Sequence, residues 1–99
     1  MVFELRKSSR PGKKWEVFDT ESNKTVQFGA EGYSDYTLHK DPTRKKSYIA
    51  RHRSRENWKK SGTHTAGFWS RWLLWNEPSL TKSIADTEQR FGIDIKRKR

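Results

Sequence analysis

No cysteine occurs in the chain, which excludes a disulfide framework and any thiolate metal site. That absence suits a reducing compartment. A long apolar run is also missing. The densest apolar stretch, Phe68 to Trp75, is interrupted by Ser70 and Arg71 and is far too short to cross a bilayer, so no transmembrane segment is expected. Residues Met1 to Lys7 carry no apolar h-region, so no signal peptide is expected and the expected location is inside the cell or a virus particle. Enzyme signatures are absent as well: there is no P-loop, dinucleotide fingerprint, Ser/His/Asp set, HxxxH or HExxH. The reading is therefore a binding protein without a cofactor, not an enzyme.

Acidic residues are scarce too. Twelve Asp and Glu stand against 22 Lys and Arg, for a net charge of +10 on 99 residues. Such a chain draws polyanions from a distance and repels itself when free. Only 30% of residues are hydrophobic and 34% are charged, a mixture that drifts towards disorder. Five Trp, five Phe and three Tyr argue the other way, because each buries a large area. The expectation is one small α+β domain over residues 1–95, with an aromatic core and a basic tail at 96–99.

The first thirty residues alternate with period two: Phe3 and Leu5, Trp15 and Val17, Val26 and Phe28. Pro11-Gly12 suits a type II turn, and the polar segment Asp19 to Lys24 suits a second one. This predicts a three-stranded antiparallel sheet over about 2–8, 13–19 and 24–29. Tyr33 to Thr37 reads as a linker anchored to the core by its two tyrosines. Three helices are expected to follow. Asp41-Pro42 starts the first, which runs to about Trp58. Thr65 caps the second, Ala66 to Trp75, where Phe68, Trp72 and Trp75 share a face. Ser79 caps the third, which ends near Phe91 at Gly92. Ile93-Asp94-Ile95 is suited to a short added strand.

Three constellations carry possible chemistry. The first is a run of cations over residues 39–60. In it Arg44, Arg51 and Arg55 fall on one flank of a Tyr48–His52 stripe, and Lys46 and Arg53 on the other. With Lys45, Lys59, Lys60 and Arg71 they form the expected phosphate-binding set. The second is the cluster Phe68-Trp69-Ser70-Arg71-Trp72-Leu73-Leu74-Trp75, read as core in preference to a base-stacking platform. The third is His39, His52 and His64, from which a metal-dependent nuclease site can be drawn only without a matching metal spacing. Lys96-Arg97-Lys98-Arg99 reads as a mobile end, with a nuclear localisation signal or an extra phosphate-binding arm as the functional alternatives.

Several segments together carry a resemblance: Val26-Gln27-Phe28-Gly29-Ala30, Gly32-Tyr33-Ser34-Asp35-Tyr36-Thr37 with His39-Lys40-Asp41, Arg51-His52 with Arg55-Glu56-Asn57-Trp58, and Thr65 through Asn76 with Pro78. The chain resembles a group of small basic proteins of large DNA viruses of algae and amoebae. That resemblance implies a viral origin, a place in the virion or in the host nucleus or cytoplasm, and a role in genome handling or in the particle. It implies no catalytic residue.

The leading expectation is sequence-tolerant binding of nucleic acid, DNA ahead of RNA. A minor virion component that meets an acidic capsid protein or an anionic membrane is the alternative. A small metal-dependent nuclease is the third.

Overall fold

Alternation in the first thirty residues produces strands close to the expected places. These are β1 (Val2–Lys7), β2 (Lys13–Asp19) and β3 (Lys24–Ala30), in a computed structural model that describes residues 1–98. Each turn has the chemistry its residues supply. Gly12 takes φ 89°, and the Lys13 N–H donates to Arg10 O at 3.3 Å, as a type II turn requires. At the second turn the Asp19 carboxylate accepts from the Glu21 and Ser22 N–H groups, and Asn23 takes the left-handed φ of 59°.

The sheet has four strands, not three, and it is mixed. After the helices, β4 (Asp94–Arg97) returns to lie parallel to β1, giving the order β3-β2-β1-β4. The physical reason lies in β1. Phe3 and Leu5 are almost fully buried, so β1 is an interior strand whose outer backbone groups need a partner. The Ile93-Asp94-Ile95 alternation supplies one and continues into Lys96 and Arg97, so these two residues extend the strand and are not the expected mobile tail. The Lys98 N–H still donates to Leu5 O at 2.7 Å, and Arg99 lies outside the described residues.

Registers Leu5↔Val17, Val17↔Val26 and Trp15↔Phe28 gather Phe3, Leu5, Val17, Phe28 and Ile95 on one face. The helices cover that face with Phe68, Trp69, Leu73, Leu74 and Ile84. Trp69 is the centre. It is fully buried, meets Phe3 edge-on at 4.9 Å and Phe68 at 4.9 Å, and donates its indole N–H to Thr63 O at 2.8 Å.

Four helices follow the hairpins, among the described residues. The expected linker contains a short one, α1 (Tyr36–His39), because the buried Asp35 carboxylate accepts from the Thr37 N–H. Of the two tyrosines expected to anchor this segment, Tyr33 is exposed, and only Tyr36 is partly covered. Helix α2 (Pro42–His52) starts at Asp41-Pro42 as expected but stops six residues before Trp58. A continuous helix would carry Trp58 about 15 Å along the axis from Tyr48. Instead the chain turns back and sets the two rings 6.4 Å apart, with Trp58 O accepting from the Trp72 indole.

The second expected helix is α3 (Ala66–Trp69) followed by a π turn, Ser70–Leu74, in which the Trp75 N–H bonds Ser70 O. Consecutive bulky residues at 72–74 are all buried, and the wider turn lets them share one side. Helix α4 (Leu80–Phe91) has its expected Ser79 cap and ends on Gly92 at φ 64°. No helix among the described residues is long and apolar enough to cross a membrane.

Trp69→Ala removes the largest buried ring and leaves Thr63 O without its donor. The expected loss is about 3–5 kcal/mol of unfolding free energy, read as a fall in the urea midpoint.

Candidate nucleic-acid interface

The few carboxylates decide where positive charge remains. Glu16 lies on the sheet face away from the helices, where alternation places it in water, yet it is only 3% exposed. Arg6 Nε donates to it at 2.5 Å, the Ser9 N–H at 3.0 Å and Gln27 at 3.1 Å. Burial alone would raise this carboxyl, but the Ser9, Arg6 and Gln27 hydrogen bonds outweigh it and hold the pKa at about 2. Asp19 behaves alike: burial raises it, while His64 at 2.8 Å and the Glu21 and Ser22 donors bring it to about 2. Asp35 holds Lys14 at 2.7 Å, and Asp86 is held low by Asn76 first and by Arg90.

The ion pairs among the described residues engage the Met1 amine, Arg6, Lys14, His52, His64 and Arg90. None of them involves Arg44, Lys46, Arg51, Arg53, Arg55, Lys59 or Lys60, and all seven of those side chains are exposed. They are gathered on α2 and the segment that follows it. Arg55 folds back, its guanidinium donating to Arg51 O at 3.2 Å, so it adds charge at the C-terminal end of α2.

Two members of the expected set are placed elsewhere. Lys45 turns inward: its ammonium donates to Asn76 O at 2.6 Å and lies 5.0 Å from the centre of the Tyr36 ring. Burial, with help from Arg71, lowers its pKa from the usual lysine range. Arg71 is packed over Trp72 at 4.3 Å and Trp58 at 5.4 Å and donates to Trp75 O at 2.9 Å. Burial and the neighbouring Arg90 guanidinium lower its pKa. Lys45 fastens α2 to the segment after the π turn, and Arg71 ties that turn to Trp58, its guanidinium held on indole faces by the ring quadrupole. A cation flanked by tryptophans in sequence gives no sign of which role it takes.

Beside α2 lies an open cleft of about 770 Å³. Arg44, Ser47, Arg51 and His52 form one wall, and Lys13, Lys14, Gly29 and Ala30 the other. Tyr48, Leu74 and Trp75 lie at its base. Gly29, at φ 77°, keeps this wall close, since a Cβ there would come within 2.8 Å of Leu74. Lys13 escapes sequence reasoning because the fold alone brings it opposite α2.

Most of the aromatic cluster belongs to the core: Phe68, Trp69 and Trp72 are buried and Trp75 is partly covered, so none of these rings is an exposed platform. His39, His52 and His64 do not converge. Among the described residues no group of three His, Asp or Glu side chains is arranged to hold a metal ion. His64 touches both Asp19 and Ser22 through the same nitrogen, Nε2, so it cannot relay a proton between them as a hydrolytic triad does.

The depressed carboxyls make the fold acid-sensitive. Glu16 and Asp19 contribute stability in full above their ordinary values of 4.5 and 3.8, and lose it as pH falls towards 2. Urea midpoints should drop over that window, and Glu16→Gln should flatten part of the drop.

No curated protein and no solved structure matches the chain. One family profile does match, over residues 3–52. That span takes in β1 to β3, α1 and the whole of α2, stopping at the residue that ends the basic helix. The chain therefore belongs to DUF5754, a family of unknown function.

Proposed function

We propose that this chain is a sequence-tolerant nucleic-acid-binding protein. The observation that carries the reading is the exposed set Arg44, Lys46, Arg51, Arg53, Arg55, Lys59 and Lys60, none of which is ion-paired among the described residues. A phosphate backbone needs only positive charge within reach, and each neutralised phosphate releases condensed counterions. Base readout needs bidentate amide or guanidinium groups held at fixed positions. The exposed side of α2 offers Arg and Lys together with Thr43, Ser47 and Ala50, and no Asn or Gln among them. No ion pair among the described residues holds the Arg44 or Arg51 guanidinium at a fixed position, which favours contact with the backbone over readout of base edges. Genome handling or packaging in a large DNA virus is the setting that the sequence resemblance suggests, which puts DNA ahead of RNA.

Fluorescence anisotropy of a labelled duplex across a salt series tests the proposal. Affinity should fall steeply as salt rises. The triple variant Arg51→Ala, Arg53→Ala, Arg55→Ala should weaken binding and reduce the log–log salt slope by about 2–3. It should stay folded, because all three side chains are exposed. Affinity that is absent or indifferent to salt defeats the reading, as does a variant with an unchanged slope.

A further inference from the structure

The ring of Tyr48 is covered on both sides. Trp75 stacks on it at 4.4 Å with planes 2° apart, and His52 at 4.3 Å with planes 27° apart, which leaves Tyr48 only 7% exposed. The three rings form a column that runs from the core outward and ends on His52 in the cleft. The His52 side chain is 30% exposed, and Tyr48 is its only aromatic partner among the described residues. Glu56 approaches the imidazole at Nδ1, 3.6 Å away. That contact is made at a ring nitrogen, and His52 is among the residues that line the cleft.

Cations line the same cleft. Arg51 is the adjacent residue on α2, and Arg44 lies seven residues back on the same flank, about 10 Å along the axis. Lys13 lies on the facing wall. Two acids line the cleft: Asp35, paired with Lys14 at 2.7 Å, and Glu56, which lies 3.6 Å from His52 Nδ1. The cleft is within the size range of sites that enclose a flat, ring-sized group.

We propose that the cleft takes single-stranded nucleic acid, with one unpaired base laid on the outer face of His52 and the flanking phosphates met by Arg44, Arg51 and Lys13. The proposal rests on the nucleic-acid reading and narrows it to a strand form. Stacking is sequence-tolerant because every base presents a π-face. Bases within a duplex have both faces covered by their neighbours and cannot extend the column. An acidic peptide would satisfy the cations but would leave the ring face unused.

The test compares a fluorescein-labelled thymidine 20-mer with a duplex of equal length at one salt concentration, using the full chain. For His52→Ala, single-strand affinity should fall about five- to a hundredfold, while duplex affinity stays within about twofold. His52→Phe keeps a ring and removes the titratable group, so it should restore single-strand binding. Circular dichroism of both variants checks the fold. Should the His52→Ala change destabilise α2, His52→Phe against wild type still decides, because loss of single-strand binding with a folded His52→Phe variant refutes stacking. Equal losses on both nucleic acids, no loss on either, or equal competition by poly-glutamate also overturn the proposal. Wild-type binding to duplex but not to the single strand defeats this inference alone. Binding to neither defeats the nucleic-acid reading and this inference with it.

Discussion

With 12 carboxylates against 22 Lys and Arg, the location of each carboxylate sets the location of free positive charge. This fold draws its acids towards structure. Glu16 holds the outer face of the sheet together through Arg6, Ser9 and Gln27. Asp19 and Asp35 organise the turn before β3 and the start of α1, and each also holds a distant side chain, His64 or Lys14. Buried carboxylates need such partners, because an unpaired charge away from water is costly. Arg6 and Lys14 on the sheet are neutralised, while the cations on α2 and just beyond it face solvent with no ion pair among the described residues. Exposed cations without an ion pair among the described residues also lie elsewhere, at Lys7, Arg10, Lys24, Lys82, Lys96, Arg97 and Lys98, and the densest run of them is on α2 and just beyond it. That arrangement raises the repulsion within the free protein and fits it to a polyanion.

Aromatic rings supply what the small aliphatic content cannot. Trp69 ties the sheet to the helical layer through Phe3 and Phe68, and Trp72 carries a guanidinium on each of two contacts, Arg71 at 4.3 Å and Arg90 at 4.5 Å. The same economy positions α2. The helix has a single buried residue, Tyr48, and is held by that ring against Trp75 together with the Lys45 bond to Asn76 O. A helix fixed by so narrow a seam keeps most of its circumference exposed, which is why seven exposed cations fit on it and the segment that follows.

Local signals in the sequence are enough for the three hairpin strands, the Pro11-Gly12 turn, the Asp41-Pro42 start and the Gly92 stop, because each depends on neighbouring residues. The early end of α2, the π turn at Ser70–Leu74 and the pairing of β4 with β1 depend on contacts between residues far apart in the chain. Trp58 leaves the helical path to reach Tyr48 and Trp72, and no periodicity encodes that. Of the expected phosphate-binding set, Arg44, Lys46 and Arg51 are exposed on α2 as the helical wheel expects, whereas Arg53, Arg55, Lys59 and Lys60 are exposed beyond its end at His52, where the wheel no longer applies. Lys45 and Arg71 depart from it because a cation's inward turn depends on a carbonyl or a ring supplied from elsewhere. Lys13 is illegible for the converse reason: it joins the cleft only through the sheet.

The most direct test of the α2 cations as the binding surface is a residue-resolved footprint. Amide chemical-shift changes, followed by NMR while a short oligonucleotide is titrated into the full chain, report which surface is engaged. The account predicts changes concentrated on Arg44 to Lys60 and the facing Lys13, with the outer sheet face around Glu16 and Thr25 undisturbed. Changes spread evenly over the surface, or centred on that outer face, would contradict it.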